Sequence, residues 1–298
     1  MRILITGGSG FIGQLLCQRL HDQGHTLLVV SRSPDKTERL LPAGSDVRAK
    51  VLDFTGTRVD AMVNLAGESI AGKRWSEAQK KKLVESRLAI TGDLVTLCGK
   101  LDTPPRALVS GSAMGYYGAQ GQRPVDEDTP PHDEFNHRLC AGWEATAREA
   151  EAYGVRVALL RTGLVLDRNG GALKQMLPPF KMGLGGRIGD GRQYMPWIHR
   201  LDMVRIIEFL LDQEVLNGPF NCSAPNPVTN DEFVHTLARH LHRPAMIPMP
   251  ATALKIALGE MSRLLLTGAA MQPRRLEEAG FTFHYPTLDE ALSDILGR

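Results

Sequence analysis

Apolar residues recur along this chain in two alternating rhythms. Short apolar runs, RILIT at Arg2–Thr6, TLLVV at Thr26–Val30, AMVNL at Ala61–Leu65, ALVS at Ala107–Ser110 and VRVALL at Val155–Leu160, read as buried strands. Longer stretches with helical periodicity separate them, near Phe11–Gln23, Ser76–Cys98 and Arg138–Tyr153. A strand that is apolar on both faces needs cover on both faces. The alternation therefore predicts an α/β fold, a doubly wound parallel Rossmann sheet with helices on each side.

Beyond Leu166 the rhythm changes. Residues 183–198, GLGGRIGDGRQYMPWI, read as an ordered glycine-rich loop, followed by helical patterns at Asp202–Asp212 and Asn230–His240. Near the end, GFTFHYPT (280–287) reads as a short strand. The organisation expected is a nucleotide-binding domain over 1–165, with 200–222 returning to it. A smaller C-terminal α/β substrate lobe would comprise 166–199 and 223–298. Without a low-complexity linker, the two parts are expected to pack intimately.

Composition narrows the function classes. With 298 residues, 43% hydrophobic and 23% charged, the chain can bury a sizeable core without a metal or disulfide staple. Its 35 Lys+Arg against 33 Asp+Glu, a net charge of +2, gives no reason to expect nucleic acid or an anionic membrane as partner. The local excess KRWSEAQKKK at Lys73–Lys82 reads as a solvated helix face. Cys17, Cys98, Cys140 and Cys222 lie far apart with no ligand spacing, so neither disulfides nor a metal site is expected. The N-terminus carries no signal-like segment, and no window reaches the roughly 18 apolar residues of a membrane span. A cytoplasmic location is expected.

The first candidate chemistry lies in TGGSGFIG, Thr6–Gly13, directly after the first strand and opening the first helix. Gly8-x-Gly10-x-x-Gly13, overlapped by the spacing from Gly7, satisfies the dinucleotide fingerprint. Glycines are needed there for the tight turn, for backbone approach to a pyrophosphate and for helix–sheet packing. Gly7, Gly8, Ser9, Gly10, Phe11, Ile12 and Gly13 are therefore candidate cofactor contacts. At the end of the second strand, where an NAD-binding unit usually places Asp or Glu, this chain has Ser31 and Arg32. A guanidinium can pair with a 2′-phosphate that a carboxylate would repel, so NADP(H) is favoured over NAD(H).

Together these residues resemble the extended short-chain dehydrogenase/reductase superfamily, in its NAD-dependent epimerase/dehydratase branch. The resemblance covers nearly the whole chain. Asp53 in VLDF matches an acidic residue near adenine, and NLAG (Asn64–Gly67, with Ala66 and Gly67 against the cofactor) matches the fourth-strand turn. SGSAMGYYG matches the segment carrying the active-site Ser, here Ser112. RTGLVL, with Arg161 and Thr162, matches the strand end beside the nicotinamide. AGESIAGKRW, SRLAIT, GDGRQYMPWIH and the tail LGEMSRLLLTGAAMQPRRLEEAGF are similar to an atypical YfcH-like subgroup with its own C-terminal domain. The resemblance also implies a homodimer through the helices 76–98 and 138–153.

The departures from the family pattern bear on mechanism. Matching Glu144 to the family's Glu puts Cys140 in the place of the Lys and Asn136 in the place of the catalytic Tyr, while Arg87 replaces a customary Asn. Asn has no useful proton to give, and a thiol cannot hold a ribose as an ammonium does. Ser112, Tyr116, Tyr117 and His199 are the remaining catalytic candidates. His199 could equally cap the helix that follows it. Glu68 and Arg87 lie at the sheet's carboxyl edge, as a cofactor-shaping pair or as a catalytic dyad. Arg74, Trp75, Gln193 and Trp197 could line the substrate side, or pack between lobes. Two readings stand. One is an NADP(H)-dependent oxidoreductase on a carbonyl or sugar-like small molecule with a non-standard proton donor. The other is a non-catalytic NADP(H)-binding sensor or scaffold.

Overall fold

The structure is a computed structural model that describes residues 1–297. Its centre is one seven-stranded sheet of β1 (Arg2–Thr6), β2 (Thr26–Val30), β3 (Asp46–Arg48), β4 (Ala61–Asn64), β5 (Ala107–Ala113), β6 (Arg156–Thr162) and β7 (Gly218–Cys222). The spatial order is β7-β6-β5-β4-β1-β2-β3, and every pairing is parallel. The helices that matter to the site are α1 (Phe11–Asp22), α2 (Pro34–Glu38), α3 (Glu77–Cys98), α4 (Phe135–Arg148), α5 (Gly171–Lys181), α6 (Arg200–Asp212), α7 (Asn230–Leu241) and α8 (Ala251–Leu258).

Strand periodicity decides which side chains go where. Ile3 and Ile5 of β1 join one core with Leu16 and Leu20 of α1 and Ile206 and Ile207 of α6. Leu4, between them, points to the opposite core with Leu94 and Leu97 of α3 and Ala147 of α4. Each such fully buried aliphatic side chain stabilises the fold by about 1.5–3 kcal/mol. A third core, with Leu173 of α5, Phe233 and Leu237 of α7, Trp197 and Leu292, belongs to the C-terminal part. Among the described residues no helix is long and apolar enough to cross a membrane.

Two expectations are corrected. GFTFHYPT forms no strand. The amides of His284 and Tyr285 donate to the buried carboxylate of Asp202 on α6, each at 2.9 Å, so a side chain replaces the ladder. The glycine-rich stretch 183–198 is a loop only at first. It ends in two short strands, Tyr194–Met195 against Val228–Thr229 and Trp197–His199 against Leu164–Leu166. The strand reading also stopped early at β5, which runs on to Ala113, and α4 starts at Phe135, three residues before the predicted start at Arg138.

Register places polar groups in rows at the carboxyl edge of the sheet. Thr6 lies opposite Asn64, Asn64 opposite Ser110, and Ser112 opposite Arg161. In the first row the Thr6 hydroxyl donates to Asn64 Oδ1 at 2.7 Å, and Asn64 Nδ2 donates to Thr91 Oγ1 at 2.8 Å and to Ser110 Oγ at 3.2 Å. Every member is buried, so each unpaired partner left behind by a substitution costs free energy. We predict that Asn64→Leu destabilises the protein by about 3 kcal/mol in urea unfolding. A loss below about 1 kcal/mol would show that the row carries little stability.

Candidate functional site

The strand order reverses at β1, where the connections of β2 and of β4 leave in opposite directions and open a crevice. The glycine turn closes its floor. Gly7 has φ +74°, and a Cβ there would come within 2.7 Å of the Leu65 carbonyl carbon. A Cβ on Gly13 would lie 2.2 Å from the Gly7 oxygen, so no side chain fits at either place. α1 starts at Phe11 behind Gly10, with neither a side-chain cap nor an acidic residue in its first turn. The leading amides are left open at the positive end of the helix, the arrangement that receives a pyrophosphate. The residues present therefore fit a dinucleotide. Ser9 and Ile12 belong to the same turn, and the Phe11 ring packs on Gly170 beneath the Arg200 guanidinium.

On the β2 side, Ser31 Oγ pairs with Thr37 Oγ1 at 2.6 Å and accepts from the Ser33 amide at 3.1 Å, which fastens the start of α2. Arg32 stands exposed beside it with no ion-pair partner among the described residues. Asp53 accepts from the Lys50 amide at 2.9 Å and so caps the short turn Val51–Phe54.

On the β4 side the Ala66 amide donates to Thr6 Oγ1 at 3.3 Å, and Gly67 is pressed against Arg87. Arg87 is buried. It donates to the main-chain oxygens of Leu83 and Glu68, both at 3.0 Å, and lies 5.2 Å from the Trp143 ring centre. The Glu68 carboxylate turns instead to Lys82 at 3.6 Å. No Glu68–Arg87 carboxylate pair forms, and burial lowers the Arg87 pKa.

Deeper in, Ser112, Glu144 and Arg161 form one buried cluster. Glu144 receives both Nε and Nη2 of Arg161, at 2.9 and 3.0 Å, and the Ser112 hydroxyl at 2.7 Å. Arg161 Nη1 continues to the Tyr117 hydroxyl and the Glu127 main-chain oxygen, both at 3.1 Å, and its guanidinium lies 3.4 Å from the centre of the Tyr116 ring. The Tyr117 hydroxyl donates to Asn221 at 2.6 Å, and burial raises its pKa strongly. Cys140 is packed beneath Ser112. Burial, with the Glu144 charge, pushes its thiol up to about 12, so it has no tendency to ionise near neutrality. Tyr116 is only half-buried, and its hydroxyl has no partner among the described residues. At the end of β6, Thr162 Oγ1 donates to the Leu160 oxygen at 3.1 Å.

His199 stands apart from this cluster. Its Nδ1 accepts from the Leu201 amide at 3.1 Å, capping α6, and its Nε2 lies 3.2 Å from Asp294. Burial lowers its pKa despite the nearby carboxylates of Asp294, Asp202 and Asp167. Of the other substrate-side candidates, Trp197 is buried in the C-terminal core and Gln193 braces the loop through the oxygens of Ile188 and Leu265. Arg74 packs against Gly259, and Trp75 lines a cleft of about 230 Å³ together with Phe135, Asn136, Arg138, Glu260 and Arg263.

The pattern of crevice and cluster agrees with what comparison with known proteins finds. Residues 3–223 match the model of the NAD dependent epimerase/dehydratase family. The chain belongs to that family. Residues 249–295 match a domain of unknown function, DUF1731. Among curated relatives, Epimerase family protein Mb2239 of Mycobacterium bovis is 42% identical, with 97% of this chain and 96% of that protein covered. Human epimerase family protein SDR39U1 is 38% identical over 99% of this chain and all of its own length. A crystal structure of that human protein, isoform 2 with NADPH, superposes with a TM-score of 0.90 at 36% identity over the whole of both chains. A UDP-glucose 4-epimerase from Thermotoga maritima with UDP-glucose superposes at 0.80 and 19% identity, covering 100% of this chain and 99% of that one, which speaks for the fold alone.

Glu127, Asn221, Thr91 and Trp143 did not figure as site residues in the sequence reading. Their roles depend on contacts across 34 to 104 positions, for which no local pattern exists. Glu144 served there only as an alignment mark, and carries the cluster.

Two predictions follow from these contacts. Glu144→Gln leaves the Arg161 guanidinium buried without its counter-charge and should cost about 3–5 kcal/mol in denaturant unfolding. Replacing both residues by apolar ones of similar size should cost less than that single change, and an equal or larger loss would contradict the ion-pair account. The second concerns pH. The folded state resists protonating His199, whereas the unfolded state takes up a proton as pH falls through the ordinary value of about 6.5. Its contribution to stability is therefore intact above that pH and lost below it. Stability measured from pH 7.5 to 5.5 should fall less steeply in His199→Asn, and identical slopes would remove His199 as the cause.

Proposed function

We propose that the crevice at β1 binds NADP(H) in preference to NAD(H), and that the protein is an oxidoreductase on a small carbonyl or sugar-like compound. The observation that carries the cofactor reading is Arg32, exposed and unpaired at the end of β2, where an NAD site would hold a carboxylate. The human relative solved with NADPH supports it. Gly7, Gly8, Gly10 and Gly13 with the α1 amides would receive the pyrophosphate, and Ser31 and Arg32 the 2′-phosphate. Ala66, Gly67, Glu68 and Arg87 would line the nicotinamide half of the crevice. The bound nicotinamide would supply or accept a hydride, for which positioning is the protein's main task.

The proton is the harder assignment. Cys140 holds its thiol proton, Asn136 has none to give, and the Tyr117 proton is committed to Asn221. The Ser112 hydroxyl is committed to Glu144, and His199 is engaged as a helix cap. Tyr116 is the remaining catalytic candidate with a free hydroxyl, and Arg161 holds its ring in place from behind. We assign it the proton-donating role. Commitment of so many relay groups also favours a second reading, a cofactor-binding sensor or scaffold that does no chemistry. We also propose, on the family resemblance, that two copies pair through α3 and α4. A light-scattering mass of one chain would discard that pairing.

Calorimetric titration with NADPH, NADP, NADH and NAD tests the cofactor assignment. NADPH should bind at least tenfold tighter than NADH, about 1.4 kcal/mol, and Arg32→Ala should erase the gap. Equal affinity for both in the unaltered protein would overturn the assignment. For the reaction, Tyr116→Phe should lower carbonyl reduction at least tenfold without weakening NADPH binding, a loss of about 1.4 kcal/mol of transition-state stabilisation. Tight NADPH binding with no hydride transfer to any of a panel of small carbonyls would decide for the sensor reading.

A further inference from the structure

Among the described residues, most of the exposed large apolar side chains gather on one face of the C-terminal part. Met182 and Leu184 follow α5, Met246, Ile247 and Met249 lead into α8, and Ile256 lies on α8 itself. The two segments run side by side. The Ile247 amide donates to the Gly185 oxygen at 3.2 Å, the Met249 amide donates to the Arg187 oxygen at 2.8 Å, and Pro244 lies beside Gly183. These side chains therefore form one patch. Apolar residues scattered singly over a surface are ordinary, whereas a contiguous cluster marks an interaction face. The helix shares this character. ATALKIAL is apolar round its circumference apart from Thr252 and Lys255, yet only Leu254 is buried. A helix of that composition belongs in a core or against a non-aqueous phase.

The near-even charge of the whole chain, which gave no reason to expect a membrane, conceals a local excess here. No Asp or Glu occurs between Asp167 and Asp190, or between Glu232 and Glu260. Around the patch Lys181, Arg187, Arg243 and Lys255 are set against Asp190 and Asp231, and Asp231 lies 4.0 Å from Arg187. Lys181, Arg243 and Lys255 have no ion-pair partner among the described residues, and Arg243 Nε donates only to the Lys181 main-chain oxygen at 2.9 Å.

Two further features decide what can cover such a face. From Ile247 to Pro250 no main-chain donor is left open. Pro248 and Pro250 have no N–H, and the amides of Ile247 and Met249 are both bonded inward. No strand can add there, and the backbone tolerates a surrounding without water. The second feature is relief. Met246 is 81% exposed, Ile256 79% and Met182 66%, so the side chains stand clear of the surface instead of lining a groove for a partner helix. Projecting apolar tips beside unpaired cations suit a soft phase with anionic headgroups.

We propose that this face docks on an anionic lipid bilayer. Met182, Met246 and Ile256 enter the boundary between headgroups and acyl chains, and Lys181, Arg243 and Lys255 meet the lipid phosphates. The docking does not depend on the cofactor or oxidoreductase reading.

Co-sedimentation of the full-length chain with lipid vesicles tests this, on phosphatidylcholine alone and with about 30% phosphatidylglycerol. The anionic vesicles should be bound at least tenfold more tightly, and raising salt from about 0.1 M to about 0.5 M should remove most of that gap. Lys181→Gln, Arg243→Gln and Lys255→Gln together should weaken binding at least tenfold. Met246→Ser with Ile256→Ser should do the same, whereas Val215→Ser, at a 78% exposed apolar residue outside the patch, should change nothing. All these side chains are exposed, so the urea midpoint should hold. Ile256→Trp reports insertion through a blue shift of its emission on anionic vesicles. The proposal is overturned if anionic vesicles are not bound, if neutral ones are bound as tightly, or if either set of patch variants binds like the unaltered chain. An unmoved Trp emission also overturns it. So does a dimer that Met246→Ser with Ile256→Ser reduces to single chains, because a second copy would then cover the face.

Discussion

The interaction on which the site depends is the buried pair of Glu144 and Arg161. Both side chains are almost wholly removed from water, so neither charge is tolerable without the other and without further hydrogen bonds. That requirement recruits the neighbours. Ser112 fills one acceptor position of Glu144, and Tyr117 and the Glu127 oxygen take the Nη1 donors of Arg161. Asn221 then satisfies Tyr117, with its own amide donating to Glu127. Residues from α4, β5, β6 and β7 are tied in one network, which fixes the angle at which α4 meets the sheet.

That angle decides what the rest of α4 can do. Asn136, Cys140 and Glu144 are spaced four apart and share one face of the helix. With Glu144 held by Arg161, Cys140 is forced into the packed layer under Ser112, and Asn136 emerges at the helix end beside the cleft. In complete members of the family the resemblance puts a proton donor and an ammonium at the first two of these places. Here the innermost position carries charge, the middle one carries packing, and only the outermost one meets a space that a ligand can enter. The cofactor crevice is built on a different principle. Its floor is backbone, made possible by glycines that exclude side chains from it, and its selectivity would rest on one exposed guanidinium.

Much of the fold was legible because it is local. Unbroken apolar runs such as TLLVV state their own burial, and β1 and β2 have the bounds expected of them. TGGSGFIG was legible because a tight turn under a helix end demands glycine by sterics alone. Misreadings arose where a distant side chain stood in for a neighbour. GFTFHYPT has the composition of a strand, yet Asp202, some eighty positions earlier, takes its amides. The Ser112 hydroxyl looked available in sequence, and only the fold shows Glu144 accepting its proton. Glu68 and Arg87 illustrate the same limit. Their proximity was foreseen, but not that Arg87 would take the main-chain oxygen of Glu68 while Lys82 took its carboxylate.

Seen as an electrostatic whole, the region has exchanged one way of using charge for another. A Tyr–Lys relay keeps a mobile proton near an ammonium, and that ammonium must be reachable by the ligand. Here the Arg161 cation is neutralised from within by Glu144 and sealed behind Tyr116 and Tyr117, so it can organise the site without touching what binds there. Arg87 is likewise engaged by carbonyl oxygens under the NLAG turn. What lines the cleft beside α4 is mixed, with Asp133, Glu134, Arg138, Glu260 and Arg263 next to Trp75, Phe135 and Asn136. In the proposed reaction the proton would fall to Tyr116, whose ring lies against the Arg161 guanidinium and whose hydroxyl has no partner among the described residues.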